Sequence, residues 1–295
     1  MENFSRILVA LDLSPIDHLL IQHAHRIASL FRSSRVYFVH IIPDMVEPKR
    51  AQLEFRKRFA PETPIDEQVK KQLEQTIRKY WERDHPTEWS VDVIEGKPYS
   101  QLLHWLDLKK IDWLFIGQKL DSRGSGITAR KLASDTRCSV LFVPENPLRK
   151  GLHLLVPVDF SEDSAKALKL SVSWRYRQKE VRITALHITD LIAAGYYLNR
   201  KEFENFNRFL SDTAKESFHK FLEEYEIPLD IIEVVLLQNE EGSISERIID
   251  YATTENVDWI VVGAQGHGAL ERFFFGSVTE KLVSHPLPAP TLVVR

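Results

Sequence analysis

The stretch Arg6-Ile-Leu-Val-Ala-Leu-Asp12-Leu-Ser14 returns 147 residues later as His153-Leu-Leu-Val-Pro-Val-Asp159-Phe-Ser161. The same offset carries Tyr37-Phe-Val-His40-Ile-Ile onto Thr184-Ala-Leu-His187-Ile-Thr, and an offset of 146 carries Ile111-Asp-Trp113-Leu-Phe-Ile-Gly117 onto Val257-Asp-Trp259-Ile-Val-Val-Gly263. Three islands in nearly one register exclude coincidence, so one folding unit has been duplicated in tandem. Length agrees: 295 residues is long for a single core, since typical domains hold about 100 to 150 residues. Two domains are expected, 1–147 and 148–295, with Pro144, Pro147 and Gly151 punctuating the junction.

Within each copy, runs of Val, Ile and Leu alternate with longer amphipathic segments. That alternation reads as β-α-β-α, and therefore as a parallel sheet covered by helices on both faces. Strands are expected near 6–12, 35–42, 89–95, 112–118 and 138–144, and again near 153–159, 181–188, 230–237, 258–264 and 290–295. Helices are expected near 66–83 in the first copy and near 162–178, 200–225, 243–255 and 276–284 in the second, giving four per copy. Ser14 and Ser161 stand where each first helix needs a capping hydroxyl. Residues 44–64, interrupted by Pro48, Pro61 and Pro64, read as a surface loop or short helix.

Charge and cysteine content remove several classes of function. The first half carries 22 basic against 20 acidic residues and the second 17 against 22, so neither half offers a basic surface for nucleic acid. Cys138 is the only cysteine, which rules out a disulfide framework and suits a reducing compartment. The apolar run Ile7–Leu11 is too short to span a bilayer and no cleavage-site pattern follows it, so no membrane association and a cytoplasmic location are expected.

Chemistry concentrates after the fourth strand of the second copy, in Gly263-Ala-Gln-Gly266-His267-Gly268 and onward to Gly276-Ser277-Val278-Thr279. Glycines let a backbone bend and approach a ligand, and a loop that feeds a helix N-terminus offers free amides at the positive end of the helix dipole. Such a segment suits phosphates. The Ser277 and Thr279 hydroxyls could donate to phosphate oxygens or cap the helix. In doubly wound sheets ligands settle beyond the carboxyl ends of the strands, where strand order reverses, and both Asp159 and Gly263 fall there.

The Val-Pro-Val-Asp159-Phe-Ser stretch, His187 closing the second strand, and the Gly-x2-Gly-x9-Gly-Ser spacing resemble the universal stress protein family, and both copies resemble it throughout. The resemblance implies two tandem Rossmann-like domains of strand order 3-2-1-4-5, paired as a pseudo-dimer within one chain through the strands at 138–144 and 290–295. It also implies ATP, with Mg2+, as the ligand. Asp159 would recognise adenine, with Pro157, Val158 and Ile188 around the base. Gly263 and Gly266 would lie against ribose and phosphates, and Gly276, Ser277, Val278 and Thr279 around the triphosphate. Family members often carry Ser then His or Arg between the first two glycines; Ala264 and Gln265 stand there instead, with His267 as a partial substitute. A regulatory role in the stress response follows, exercised on an unnamed protein partner; a homodimer of the whole chain stays open.

The first copy departs from that pattern. Asp12, Ile41, Gly117 and Gly126 keep their places, but Leu120 replaces the second glycine and Ile127 the serine. Eight residues separate Gly117 from Gly126, against twelve between Gly263 and Gly276, so the phosphate cradle should be degenerate there. Lys119, Arg123, Ser125 and Thr128 leave an altered ligand open. No catalytic residue is assigned: no acid stands by motif near the phosphates, so slow ATP hydrolysis is the most expected of an enzyme reading. A docking module without nucleotide is the remaining alternative.

Other conspicuous residues have structural explanations. His40 and His187 recur without a partner acid or nucleophile and read as packing histidines. His23 and His25 sit two apart on a helix, on different faces, which is no metal pair. Trp113 and Trp259 lie in core strands, and the charges of helix 66–83 alternate in sign as on a solvated face.

Overall fold

The chain was analysed as a computed structural model that describes residues 4–42, 64–82, 85–119, 125–146, 151–190, 200–239, 242–266 and 275–295. It divides into two compact units, Met1–Leu148 and Arg149–Arg295. The N-terminal unit runs β1 (Arg6–Leu11), α1 (Asp17–Phe31), β2 (Arg35–Ile42), α2 (Ile65–Tyr80), β3 (Glu88–Glu95), α3 (Pro98–Lys109), β4 (Trp113–Gln118), α4 (Ser125–Asp135) and β5 (Ser139–Pro144). The C-terminal unit runs β6 (His153–Pro157), α5 (Glu162–Arg177), β7 (Arg182–Asp190), α6 (Arg200–Glu224), β8 (Glu233–Asn239), α7 (Ile244–Thr254), β9 (Trp259–Gly263), α8 (Ser277–Ser284) and β10 (Thr291–Val294).

Every pairing within the two units is parallel. The order is β3-β2-β1-β4-β5 in the first and β8-β7-β6-β9-β10 in the second. Each sheet is therefore the expected 3-2-1-4-5 doubly wound sheet, with its reversal of strand order between the first and fourth strands. Leu8, Val9, Phe38, Trp113, Leu114 and Phe115 in one unit, and Leu154, Leu155, Val156, Ile260, Val261 and Leu292 in the other, are wholly buried, as continuous apolar strands covered on both faces must be. Trp259 meets Trp174 edge to face at 4.9 Å, while Trp113 packs on Phe4 and Phe31. Cys138 is buried packing.

The repeated Asp-Trp step has a structural purpose. Asp112 accepts hydrogen bonds from the Ser5 and Arg6 amides at 2.8 Å, and Asp258 accepts one from the His153 amide at 2.9 Å. Each aspartate thus ties the start of its fourth strand to the start of the first. Lys110 and Asn256, two residues upstream, both adopt the left-handed conformation (φ 50° in each) that ends a helix.

Several boundaries differ from expectation. The third strand of the second copy begins at Glu233 rather than 230, because a 3₁₀ turn at Leu229–Ile231 follows Pro228. The first strand of that copy stops at Pro157, two residues short of Asp159, and α2 stops at Tyr80. Ser161 does cap α5, accepting the Ser164 amide at 3.2 Å, but Ser14 does not cap α1. Ser14, Pro15 and Ile16 form a turn closed by the Asp17 amide on the Ser14 carbonyl at 3.1 Å. The first helical residue is displaced to Asp17, out of reach of the Ser14 hydroxyl. Among the described residues no helix is long and apolar enough to cross a membrane.

Candidate functional site

In the C-terminal unit the carboxyl ends of β6 and β9 diverge, and the segments that follow them meet again above the sheet. Asp159 follows β6 and is exposed. Its Oδ1 accepts from the Ser161 amide at 3.1 Å and the Ser161 hydroxyl at 2.6 Å, a local turn that fixes the carboxylate. Its Oδ2 meets no donor among the described residues. A Cβ added to Gly266 would run into that same Oδ2, and a Cβ on Gly276 would come within 3.1 Å of the Gly266 nitrogen. Asp159, Gly266 and Gly276 are thus in direct succession, and the two glycines are required by close approach.

Among the described residues of the loop, the backbone is paired through Gln265 and again at Gly276. The Thr279 hydroxyl donates to the Gly263 carbonyl at 2.8 Å, the Ala264 amide to Val294 at 2.8 Å, and the Gly276 amide to the Ala264 carbonyl at 2.8 Å. The Gln265 amide donates to Asp163 at 3.1 Å, and its carbonyl accepts from Ser161 at 3.3 Å. The Gly266 amide and the first-turn amides of α8, on Ser277, Val278 and Thr279, meet no acceptor among the described residues. α5 and α7 are capped by Ser161 and Ser243, whereas the N-cap of α8 is Gly276, which has no side chain to cap with. Uncapped amides at a helix start, with the dipole behind them, are the standard condition for holding an anion.

The remaining expected site residues fall as follows. Pro157 is half-buried at the end of β6; Val158 is buried and donates its amide to Leu186 at 2.8 Å. Ile188 is buried in β7 and Ile41 holds the same place in β2. The Thr279 hydroxyl neither caps α8 nor faces an open site: it braces Gly263. Ser277 is exposed, its hydroxyl without a partner among the described residues. His267 lies outside the described residues.

His187 donates its Nδ1–H to the Val158 carbonyl, 2.8 Å away, and His40 repeats the contact on the Leu11 carbonyl at 2.9 Å. Burial holds the His187 imidazole below its ordinary pKa, against the Val158 bond and the Asp159 charge.

In the N-terminal unit the corresponding ground is occupied by the protein itself. Asp12 accepts the Ser14 amide at 3.2 Å, as Asp159 accepts Ser161, but its Oδ2 is taken by the Lys119 ammonium. Burial opposes ionisation of Asp12, yet the bonds from Lys119 and Ser14 outweigh it and hold its pKa below the ordinary value. Asp17, buried beneath the turn, accepts the Asp12 and Leu13 amides at 3.2 and 2.9 Å, and burial pushes its pKa up to about 6. Gly126 lies inside α4, which opens at Ser125, whereas Gly276 precedes α8. Relative to its helix start, Gly126 therefore stands two residues further on than Gly276 does. Among the described residues no group of three or more His, Cys, Asp or Glu side chains could hold a metal ion.

Asp163 and its bond to Gln265 escaped the sequence reading. The available signal was a break in the repeat: Ile16 stands where the second copy has Asp163.

A twice-repeated 3-2-1-4-5 sheet, with a glycine loop and a carboxylate facing across its switch point, defines a Rossmann-like doubly wound α/β protein. The chain belongs to the universal stress protein family, whose sequence profile matches residues 3–144 and again 152–295. It is similar to Universal stress protein MJ0577 of Methanocaldococcus jannaschii, with 31% identity over 157 residues that span 48% of this chain and 93% of the relative. Over the whole chain the fold resembles a universal stress protein from Archaeoglobus fulgidus, with TM-score 0.64 and 15% identity, covering 99% of this chain and 97% of that one. A functionally unknown protein from Pseudomonas aeruginosa, PA1789, gives TM-score 0.65 and 13% identity, covering 99% and 92%.

Proposed function

We propose that the C-terminal unit binds ATP at the crevice between β6 and β9, and that the chain acts as a nucleotide-binding regulator of the stress response. The observation that carries this reading is the concentration of unspent polar groups in one place. The Oδ2 of Asp159 lies against Gly266, and the free amides of Gly266, Ser277, Val278 and Thr279 follow within a loop closed by Gly276. Adenine offers an amino donor for a carboxylate, and a triphosphate offers acceptors for amides. Pro157, Val158 and Ile188 supply apolar lining for the base. Mg2+ enters with the triphosphate as its counter-ion.

Binding rather than turnover suits the acids at hand. Asp159 is held by Ser161 through Oδ1 and gives Oδ2 to the base, and Asp163 is held by Lys166 and the Gln265 amide, so neither is placed to act on the phosphates. Bound nucleotide would fix the loop and the surface it shows to a protein partner. The test is nucleotide analysis of the purified protein followed by calorimetric titration with ATP. A wild-type protein that carries no nucleotide and takes up none would overturn the assignment and leave the docking-module alternative.

A further inference from the structure

We propose that Asp163 is a positioning residue for the phosphate-facing loop, one that aims the Gly266 amide before any nucleotide arrives; this rests on the reading of the crevice given above. Gln265 is held from two sides: its amide donates to Asp163 Oδ2 at 3.1 Å, and its carbonyl at 3.3 Å takes the weaker branch of a Ser161 hydroxyl proton shared with Asp159 Oδ1. The carbonyl of Gln265 and the amide of Gly266 belong to one planar trans peptide, so they point in opposite directions. Holding the carbonyl toward Ser161 turns the Gly266 N–H away from it. Holding the preceding amide on Asp163 fixes the neighbouring peptide plane as well, which leaves Gln265 little rotation about either soft dihedral.

Asp163 is itself braced. Its Oδ1 accepts from the Lys166 ammonium at 2.8 Å, and Lys166 also reaches Glu162 at 3.4 Å. The lysine balances the charge that Asp163 would otherwise present beside an anionic ligand. Ser161 closes the circuit, since the hydroxyl that reaches Gln265 also bonds Asp159 Oδ1 at 2.6 Å. One serine and one aspartate therefore connect the group assigned to the base with the peptide assigned to phosphate. The N-terminal unit lacks the clamp, with Ile16 in place of Asp163 and Lys119 in place of Gln265.

The experiment compares wild type, Asp163→Ala and Asp163→Asn by calorimetric titration with ATP and with adenosine, beside hydrogen exchange of the ligand-free loop amides. Asp163→Ala is expected to weaken ATP about tenfold or more, as loss of a charge-assisted hydrogen bond implies, while adenosine changes less than about twofold. Exchange at the Gln265 amide should accelerate in the same variant. Asp163→Asn, whose amide oxygen still accepts the Gln265 N–H, should recover most of the ATP affinity and the protection. Equal weakening of ATP and adenosine, or no weakening of either, would overturn the inference while leaving the site assignment in place. Failure of the wild type to bind ATP removes that assignment, and the inference with it.

Discussion

Lys119 sets its ammonium group on the Asp12 carboxylate, whereas Asp159, the matching aspartate of the second copy, keeps Oδ2 without a donor among the described residues. The two aspartates share sequence context, strand-end position and the same turn to the serine two residues on. They differ in who occupies the outer oxygen. A side chain already in place competes with any ligand at no loss of translational freedom.

Titration should accordingly return one ATP per chain. Asp12→Ala is expected to leave both stoichiometry and affinity unchanged, and Asp159→Ala to abolish detectable binding. Two equivalents per wild-type chain, or a loss of binding in Asp12→Ala, would contradict the assignment of the site to the C-terminal unit.

Gly266→Val is expected to lower ATP affinity about tenfold to a hundredfold, the range in which overpacking of 1–3 kcal/mol falls. The added Cβ must displace the Asp159 carboxylate, so base and phosphate contacts suffer together. Gly266 is half-buried beyond the carboxyl end of β9 rather than in the core, so the thermal midpoint should shift little. Binding curves that superimpose on the wild type would place the ligand elsewhere.

Ser161→Ala removes the cap of α5 and is expected to destabilise the C-terminal unit by about 1 kcal/mol, measured by urea unfolding. Ser161→Thr retains a hydroxyl and should recover most of that loss. An alanine variant as stable as wild type would mean that the first turn of α5 finds other acceptors.

The pH dependence of stability should carry a contribution from Asp17. Its pKa is about 6 in the fold against an ordinary 3.8, so folding takes up a proton between those values. The stabilisation is complete below pH 4 and lost as pH rises through 6, with a magnitude of about 3 kcal/mol. His23, His25 and His85, all lowered by burial, tilt the curve the opposite way. Subtracting the unfolding curve of Asp17→Asn from that of the wild type cancels them. That difference should slope between pH 4 and 6 and be flat above 7; a flat difference throughout would refute the buried, raised carboxyl.

Much of the fold was legible because its signals are periodic or repeated. Apolar runs such as Leu8-Val9 and Val261-Val262 mark strands buried on both faces, and the recurrence of Asp12, His40 and Trp113 one copy later confirms their register. Ends of elements were less legible, because they depend on local geometry: Ser14 and Ser161 look alike in sequence, yet the Pro15 turn carries Ser14 away from the helix it should cap. In the candidate site the glycines could be read from spacing, since a requirement for a missing side chain is visible in one dimension. The Asp163 bond to Gln265 could not, because it joins residues 102 positions apart through an ordinary polar pair. Lys119 was visible as a charge, but only its reach to Asp12 shows what the charge is for.

At Phe160 the backbone takes φ 66°, and at Leu13 it takes φ 62°, so the chain reverses sides immediately after each aspartate. In the C-terminal unit this sends Asp159 toward the crevice and the Phe160 ring onto His187 at 4.4 Å, with Phe218 and Phe221 each 5.7 Å away. One residue inserted or deleted there would exchange the two destinations, driving an aromatic ring outward and a charge into packed rings. Both copies obey that restriction: their lengths agree from β1 through β2, and the four-residue discrepancy falls between the fourth strand and the last helix. Since the duplication, length has drifted by one residue between β2 and the fourth strand and by four before the last helix, but never across this turn.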